Sequence, residues 1–124
     1  MTVEPLHGMR VLVVEDEFYM ADDLVRALEC AGATPVGPFG SVRQAQDAVA
    51  RNGIDAAVLD LNLHGTRSDD LAKQLNDAKV PILIVSGYSV EALPPELRHL
   101  KRLEKPINCG AIISALSEQV ESAP

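Results

Sequence analysis

The stretch that most restricts how this chain can fold is Ala56-Ala57-Val58-Leu59-Asp60-Leu61-Asn62-Leu63, an apolar run with one carboxylate near its end. It is bounded by Gly53 upstream and Gly65 downstream. Such a run reads as a β-strand buried on both faces, as in a parallel sheet covered by helices. Charged side chains are almost never fully buried unless they are paired or bind a metal. Asp60 therefore needs company, or lies where the strand reaches the surface. In an open α/β sheet that surface is the carboxyl edge, where ligands bind.

The rest of the chain supplies more strands of the same kind, separated by helices. Arg10-Val11-Leu12-Val13-Val14 is a β-branched run that opens onto Glu15-Asp16-Glu17. Ala21, Leu24, Val25 and Leu28 then recur at helical spacing, and Gly32 supplies the stop. Thr34-Pro35-Val36-Gly37-Pro38 is a weak strand whose two prolines assign it to a sheet edge. Ser41 with Gln44 forms a capping box for a second helix over Val42, Ala45, Ala48 and Val49. After the Asp60 strand comes the loop His64-Gly65-Thr66-Arg67, and Ser68 is expected to cap a third helix carrying Leu71, Ala72 and Leu75. Pro81-Ile82-Leu83-Ile84-Val85 is another buried strand, ending at Ser86-Gly87-Tyr88-Ser89. Pro94-Pro95 breaks any helix in the next segment. The polar strand Leu100–Glu104 leads to Lys105-Pro106, and Asn108 caps a last helix with Ile112, Leu116 and Val120 inward.

Alternating strands and helices with short connections imply a parallel sheet with right-handed crossovers. The expected fold is α/β: a flavodoxin-like, doubly wound, five-stranded parallel sheet in the order 2-1-3-4-5, with a shortened or irregular fourth helix. Residues 1–8 read as a flexible leader, 9–120 as the single domain and 121–124 as a frayed tail. A net charge of −7 argues against nucleic acid or an anionic membrane as the main partner. Cys30 and Cys109 lie far apart without CxxC spacing and read as reduced thiols. With no signal-peptide pattern and no apolar stretch long enough to span a bilayer, a cytoplasmic location is expected.

Each strong strand ends in a residue with chemical potential: Glu15 and Asp16 after the first, Asp60 on the third, Ser86 on the fourth and Lys105 after the fifth. Parallel strands bring all these ends to one edge. Three carboxylates close together repel unless something neutralises them, and a divalent cation does so. An all-oxygen ligand set selects Mg²⁺, for which Mn²⁺ can substitute. A cation beside Asp60 holds that carboxylate ionised as a nucleophile, while a lysine and a hydroxyl can bind the oxygens of an incoming phosphoryl group. The parts describe phosphoryl transfer onto Asp60. Singly, each has a plainer explanation: the acids serve a helix dipole, Ser86-Gly87 is turn chemistry, and Lys105 is a solvated lysine. His64, a loop histidine beside glycine, is given no role.

Val11-Leu12-Val13-Val14-Glu15-Asp16-Glu17, Leu59-Asp60-Leu61-Asn62-Leu63, Val85-Ser86-Gly87 and Lys105-Pro106, in this order and spacing, resemble a receiver domain of two-component response regulators over about Met9 to Val120. The resemblance implies that Asp60 is the phosphoacceptor. It makes Asp16 the main Mg²⁺ ligand, with Glu15 acting partly through water, and Asp60 and the backbone carbonyl of Asn62 completing the protein's share. It further implies a switch hydroxyl at Ser86, a cationic clamp at Lys105 and a cis bond between Lys105 and Pro106, with Tyr88 tuning access of water to the phosphate.

The departures carry information too. Arg102 stands three positions before the lysine, where receivers usually carry an aromatic switch residue. The short, proline-broken segment between Ser86 and Lys105, with Ser86-Gly87-Tyr88, resembles the single-domain alphaproteobacterial group nicknamed "FAT GUY" receivers, although the strand reads Ile82-Leu83-Ile84-Val85-Ser86 rather than the full signature.

The implied function is a stand-alone receiver that catalyses its own aspartyl phosphorylation and dephosphorylation without being a conventional enzyme. Its partners would be a histidine kinase or histidine phosphotransfer protein and a downstream protein target. It would signal by changed contacts, as a monomer or a phosphorylation-dependent dimer, or act as a phosphorelay or phosphate sink. The alternative is a binding module that ignores phosphorylation, kept open by Arg102 and by the broken fourth-helix region. A haloacid-dehalogenase-like phosphatase fits poorly, because Asp60-Leu61-Asn62 lacks the second aspartate of a DxD motif and follows the wrong strand.

Overall fold

The computed structural model describes residues 4–63, 65–87, 93–106 and 108–122. Five strands, β1 (Arg10–Val14), β2 (Thr34–Phe39), β3 (Ala56–Asp60), β4 (Ile82–Ser86) and β5 (Lys101–Glu104), form one sheet in the order β2-β1-β3-β4-β5. Every pairing in it is parallel. Helices α1 (Phe18–Cys30), α2 (Val42–Arg51) and α3 (Asp69–Asp77) make the first three crossovers, and α4 (Cys109–Ser122) follows β5 and packs beside α1. This is the flavodoxin-like doubly wound arrangement that the sequence pattern predicts.

The apolar runs are continuous because alternate residues feed two cores. Val11, Val13, Ala56, Val58, Leu83 and Val85 pack with Leu24, Leu28, Ile112 and Leu116 beneath α1 and α4. Leu12, Val14, Ala57, Leu59, Ile82 and Ile84 pack with Ala45, Leu71 and Leu75 beneath α2 and α3. A strand with a side chain for each core has no solvent face, so polar residues are admitted only at its ends. That is where Asp60 and Ser86 lie.

The two prolines of β2 are accommodated at the sheet edge, as expected. The register between β1 and β2 shifts between Leu12 and Val14. Gly37 there has φ +114, and a Cβ on it would stand 2.7 Å from the Val13 carbonyl oxygen, so the bend needs glycine. At the other edge, β5 is polar and exposed at Lys101, Arg102 and Glu104. Between β4 and β5 the described residues hold only a 3₁₀ turn, Pro95–Leu97, anchored by the fully buried Leu97. Among the described residues, the segment between β4 and β5 holds no α-helix, in keeping with Pro94-Pro95.

Several local expectations are corrected. Residues 4–8 are not a loose leader: Leu6 is fully buried, its N–H donates to the Ala31 carbonyl at 3.1 Å, and Gly8 N–H donates to Gly32 at 3.0 Å. The apolar side chain fills the end of the core beneath α1, which a short flanking segment does not advertise. At the other end, α4 runs to Ser122, into the stretch expected to fray. Strand β3 ends at Asp60, and Asn62–Leu63 folds back antiparallel on Thr66–Arg67 about Gly65, whose φ is +88. Ser41 caps α2 by accepting from Gln44 N–H at 3.2 Å, and Asn108 Oδ1 accepts from Ala111 N–H at 3.1 Å. Ser68 makes no side-chain cap bond, because its hydroxyl is engaged elsewhere.

Replacing Leu6 by alanine is expected to cost about 2–4 kcal/mol, the range for emptying a fully buried leucine site. Urea unfolding checks this; an unchanged midpoint would return residues 4–8 to the status of a leader.

Candidate functional site

The end of β1 leads directly into the acids. Glu15 N–H donates to the Phe39 carbonyl at 3.0 Å, which turns the chain toward β2 and leaves the Glu15 side chain buried over the ends of β1 and β3. Helix α1 begins only at Phe18, with no acid in its first turn and no capping bond from Glu17. The dipole explanation therefore does not account for Glu15 and Asp16. Both face Asp60 instead: one carboxylate oxygen from each of Glu15, Asp16 and Asp60 lies within 4.8 Å of the others.

Asp60 is 5% exposed at the carboxyl end of β3. Its Oδ1 accepts from Asn62 N–H at 3.1 Å, and its Oδ2 lies 3.0 Å from Lys105 Nζ. Lys105 Nζ also donates to Glu15 Oε1 at 3.0 Å and stands 3.8 Å from Glu17 Oε2. The lysine arrives because β5 ends at Glu104 and Lys105 N–H bonds the Ser86 carbonyl at 2.7 Å, placing its stem against Gly87. The Lys105–Pro106 bond is cis. Ser86 is buried at the end of β4, the strand that pairs with β3 through Asp60 and Val85. Strand ends far apart in sequence thus converge as expected.

The electrostatics follow from that geometry. Burial, together with the charge of Asp60, raises the pKa of Glu15 from 4.5 to about 7 against the opposing hydrogen bond from Lys105. Burial works against the Lys105 ammonium, but its hydrogen bonds to Glu15 and Asp60 outweigh that, and its pKa is raised. One ammonium among three carboxylates leaves net negative charge in a part-buried site. The donor set is all oxygen, which fits a hard divalent cation such as Mg²⁺ held by Glu15, Asp16 and Asp60. Asn62 contributes visibly through its backbone N–H, while its side-chain Oδ1 accepts from Gly65 N–H at 2.8 Å and shapes the turn.

The remaining expected residues are less closely drawn in. Arg102 is on the exposed edge strand opposite Ile84, and Pro106 is exposed beside the lysine. Tyr88 and His64 lie outside the described residues. A cleft of about 660 Å³ opens beside the site between α1 and α4, lined in part by Glu17, Tyr19, Asp23, Lys105, Pro106 and Cys109. Two features escaped the sequence reading. Phe18 and Tyr19 are exposed and stacked edge to face, with centroids 5.5 Å apart. Ser68 is buried, and its Oγ donates to the Asp60 carbonyl at 2.7 Å. Helical spacing marks Tyr19, which falls opposite the stripe of Ala21, Leu24, Val25 and Leu28, but not Phe18, which stands three residues before Ala21. Nothing local signalled the second.

The family model for the response regulator receiver domain matches residues 11–117. The chain belongs to the response regulator receiver family. This receiver is 33% identical to SdrG from Sphingomonas melonis Fr1, a match covering 97% of this chain and 99% of that one with a TM-score of 0.78. The BeF3-activated conformation of SdrG, from Pseudomonas melonis Fr1, matches at 31% identity with a TM-score of 0.73, over 97% of this chain and 99% of that one. A response regulator receiver protein from Sinorhizobium medicae WSM419 shares the fold at 22% identity and a TM-score of 0.79, over 94% of this chain and 98% of that one. No functionally curated protein matches the sequence. The family assigns the chain a receiver role in two-component signalling, with kinase or phosphotransfer proteins as its class of partner. Among the described residues, no helix is long and apolar enough to cross a membrane.

A carboxyl group whose pKa is raised on folding makes the native state bind a proton that the unfolded chain has lost. The stability it contributes is full below the unfolded value of 4.5 and disappears as pH rises through about 7. With divalent cations chelated, Glu15→Gln should therefore gain melting temperature relative to the wild type as pH rises from 4.5 to 8. Parallel melting curves across that window would show no such trend if Glu15 titrates at its ordinary value.

Proposed function

We propose that this receiver takes a phosphoryl group onto the Asp60 carboxylate from a phosphohistidine of a histidine kinase or histidine phosphotransfer protein. The observation that supports this reading best is the position of Asp60. It is nearly buried, bonded to Lys105 at 3.0 Å, and grouped with Glu15 and Asp16.

In this reading an Asp60 oxygen attacks the phosphorus in line with the donor imidazole. The P–O bond to Asp60 forms as the P–N bond breaks, and the electron pair of that bond stays on the imidazole nitrogen. Asn62 N–H, on Asp60 Oδ1, keeps the carboxylate oriented during the approach. Lys105 Nζ, already between Glu15 and Asp60, transfers a hydrogen bond to a phosphoryl oxygen, and the Ser86 hydroxyl donates to another. Glu15, Asp16, Asp60 and the Asn62 carbonyl would hold Mg²⁺ (or Mn²⁺), which supplies positive charge to the transferring phosphoryl oxygens. Hydrolysis of the acyl phosphate returns the site to its starting state. Movement of Ser86 and Lys105 toward the phosphoryl group carries the signal to the surface near β4 and β5. Contacts with a downstream protein, or with a second copy of the chain, change there. Arg102 in the position usually held by an aromatic means that this relay runs without an inward-swinging ring.

Intact-protein mass after incubation with acetyl phosphate tests the proposal. One phosphoryl group should add to the wild type with Mg²⁺ present, none with the cation chelated, and none to Asp60→Asn under either condition. Labelling that survives Asp60→Asn would refute the assignment. A wild type that forms neither the adduct nor a beryllofluoride complex would favour a phosphorylation-independent binding module.

A further inference from the structure

Ser68 occupies the capping position of α3 without capping it. It is 1% exposed, with φ −99° and ψ 18° instead of the extended backbone of a capping residue. Its Oγ donates to the Asp60 carbonyl at 2.7 Å, and its N–H donates to the Leu61 carbonyl at 3.0 Å. One residue thus holds two consecutive carbonyls and closes the base of the turn that carries Asn62.

The two peptide units after the Asp60 α-carbon are both tied at each end. In the first, the Asp60 carbonyl accepts from Ser68 Oγ and Leu61 N–H donates to the Val85 carbonyl at 3.1 Å. In the second, the Leu61 carbonyl accepts from Ser68 N–H and Asn62 N–H donates to Asp60 Oδ1. The ladder between β1 and β3 ends at Val14 and Leu59, so Asp60 lies one residue beyond it. A buried carbonyl left without a donor is strongly disfavoured, and the Ser68 hydroxyl is the donor here. Without it the first peptide unit is held at its N–H end alone, by the Val85 carbonyl, and that unit sets the direction of the Asp60 side chain and the path of the chain to the Asn62 carbonyl.

We propose that Ser68 is a positioning residue, fixing the Asp60 carboxylate and the Asn62 backbone for phosphoryl transfer and cation binding. This rests on the reading of Asp60 as the phosphoacceptor. It acts through main-chain hydrogen bonds and touches no reacting atom.

The test pairs two readouts. One is the rate constant of phosphorylation at saturating acetyl phosphate and Mg²⁺. The other is Mn²⁺ affinity, followed by water-proton relaxation with no phosphodonor present. Ser68→Ala should lower each about tenfold, the scale seen when groups supporting a metal or reacting site are removed. Ser68→Thr restores the hydroxyl and should recover most of both. Asn52→Ala is the stability control: it loses bonds to the Ala48 carbonyl and to Arg10 Nη2, each 2.8 Å, at the opposite edge of the sheet. It should leave both readouts at the wild-type level. If Ser68→Ala does not fold, Ser68→Cys, similar in size with a weak donor, is measured in its place and should also show a loss. Wild-type values in Ser68→Ala, or in Ser68→Cys where it stands in, would overturn the proposal, as would an equal loss in Asn52→Ala. A wild type that labels normally isolates such a failure to Ser68. A wild type that neither labels nor binds Mn²⁺ overturns the phosphoacceptor reading itself.

Discussion

The structure turns on how three carboxylates and one lysine share a nearly dry patch at the carboxyl edge of the sheet. Like charges at this separation repel, and burial magnifies the repulsion. Lys105 relieves part of it by bonding Glu15 and Asp60 together, each at 3.0 Å. Burial, with the charge of Asp60 adding to it, pushes the Glu15 carboxyl up to about 7. A site over-supplied with negative charge and built of oxygen donors suits a hard divalent cation such as Mg²⁺. Its electrostatic discomfort and its chemical readiness have the same origin.

That patch exists because of the parallel topology. Parallel strands align their carboxyl ends, and burial on both faces of the sheet excludes polar residues between the two ends of β1, β3 and β4. The only exits for carboxylates, hydroxyls and lysines are the strand termini. Glu15, Asp60, Ser86 and Lys105 come from four segments and meet without any of them departing from its own strand's geometry. The helices contribute by holding the strands in register from both sides, with separate cores for α1 with α4 and α2 with α3.

Much of this is legible in the amino-acid sequence alone. Strand runs such as Ile82–Val85 and the prolines of β2 carry their placement in their residue types. The cluster was legible because parallel strands leave little choice about where their ends go. What was not legible depends on distance in space and not on local pattern. Ser68 has the neighbours of an ordinary capping serine, and only the position of the Asp60 carbonyl decides that its hydroxyl faces inward. Leu6 sits in a stretch with no periodicity, so nothing adjacent signals that it fills the end of a core. The turn at Gly65 has the sequence of a plain loop, because a ribbon of two residues per strand is too short to show alternation.

The two rims of the sheet bear on how the molecule meets others. An unpaired strand edge is a template for any extended chain nearby. Here one rim carries Pro35 and Pro38, which have no N–H to offer, along a strand bent at Gly37. The other presents Lys101, Arg102 and Glu104, whose hydration and charge oppose the approach of a flat strand. Both rims thus oppose lateral growth of the sheet by an added strand. Reversible encounters are left to side chains on helices and loops, surfaces that can let go.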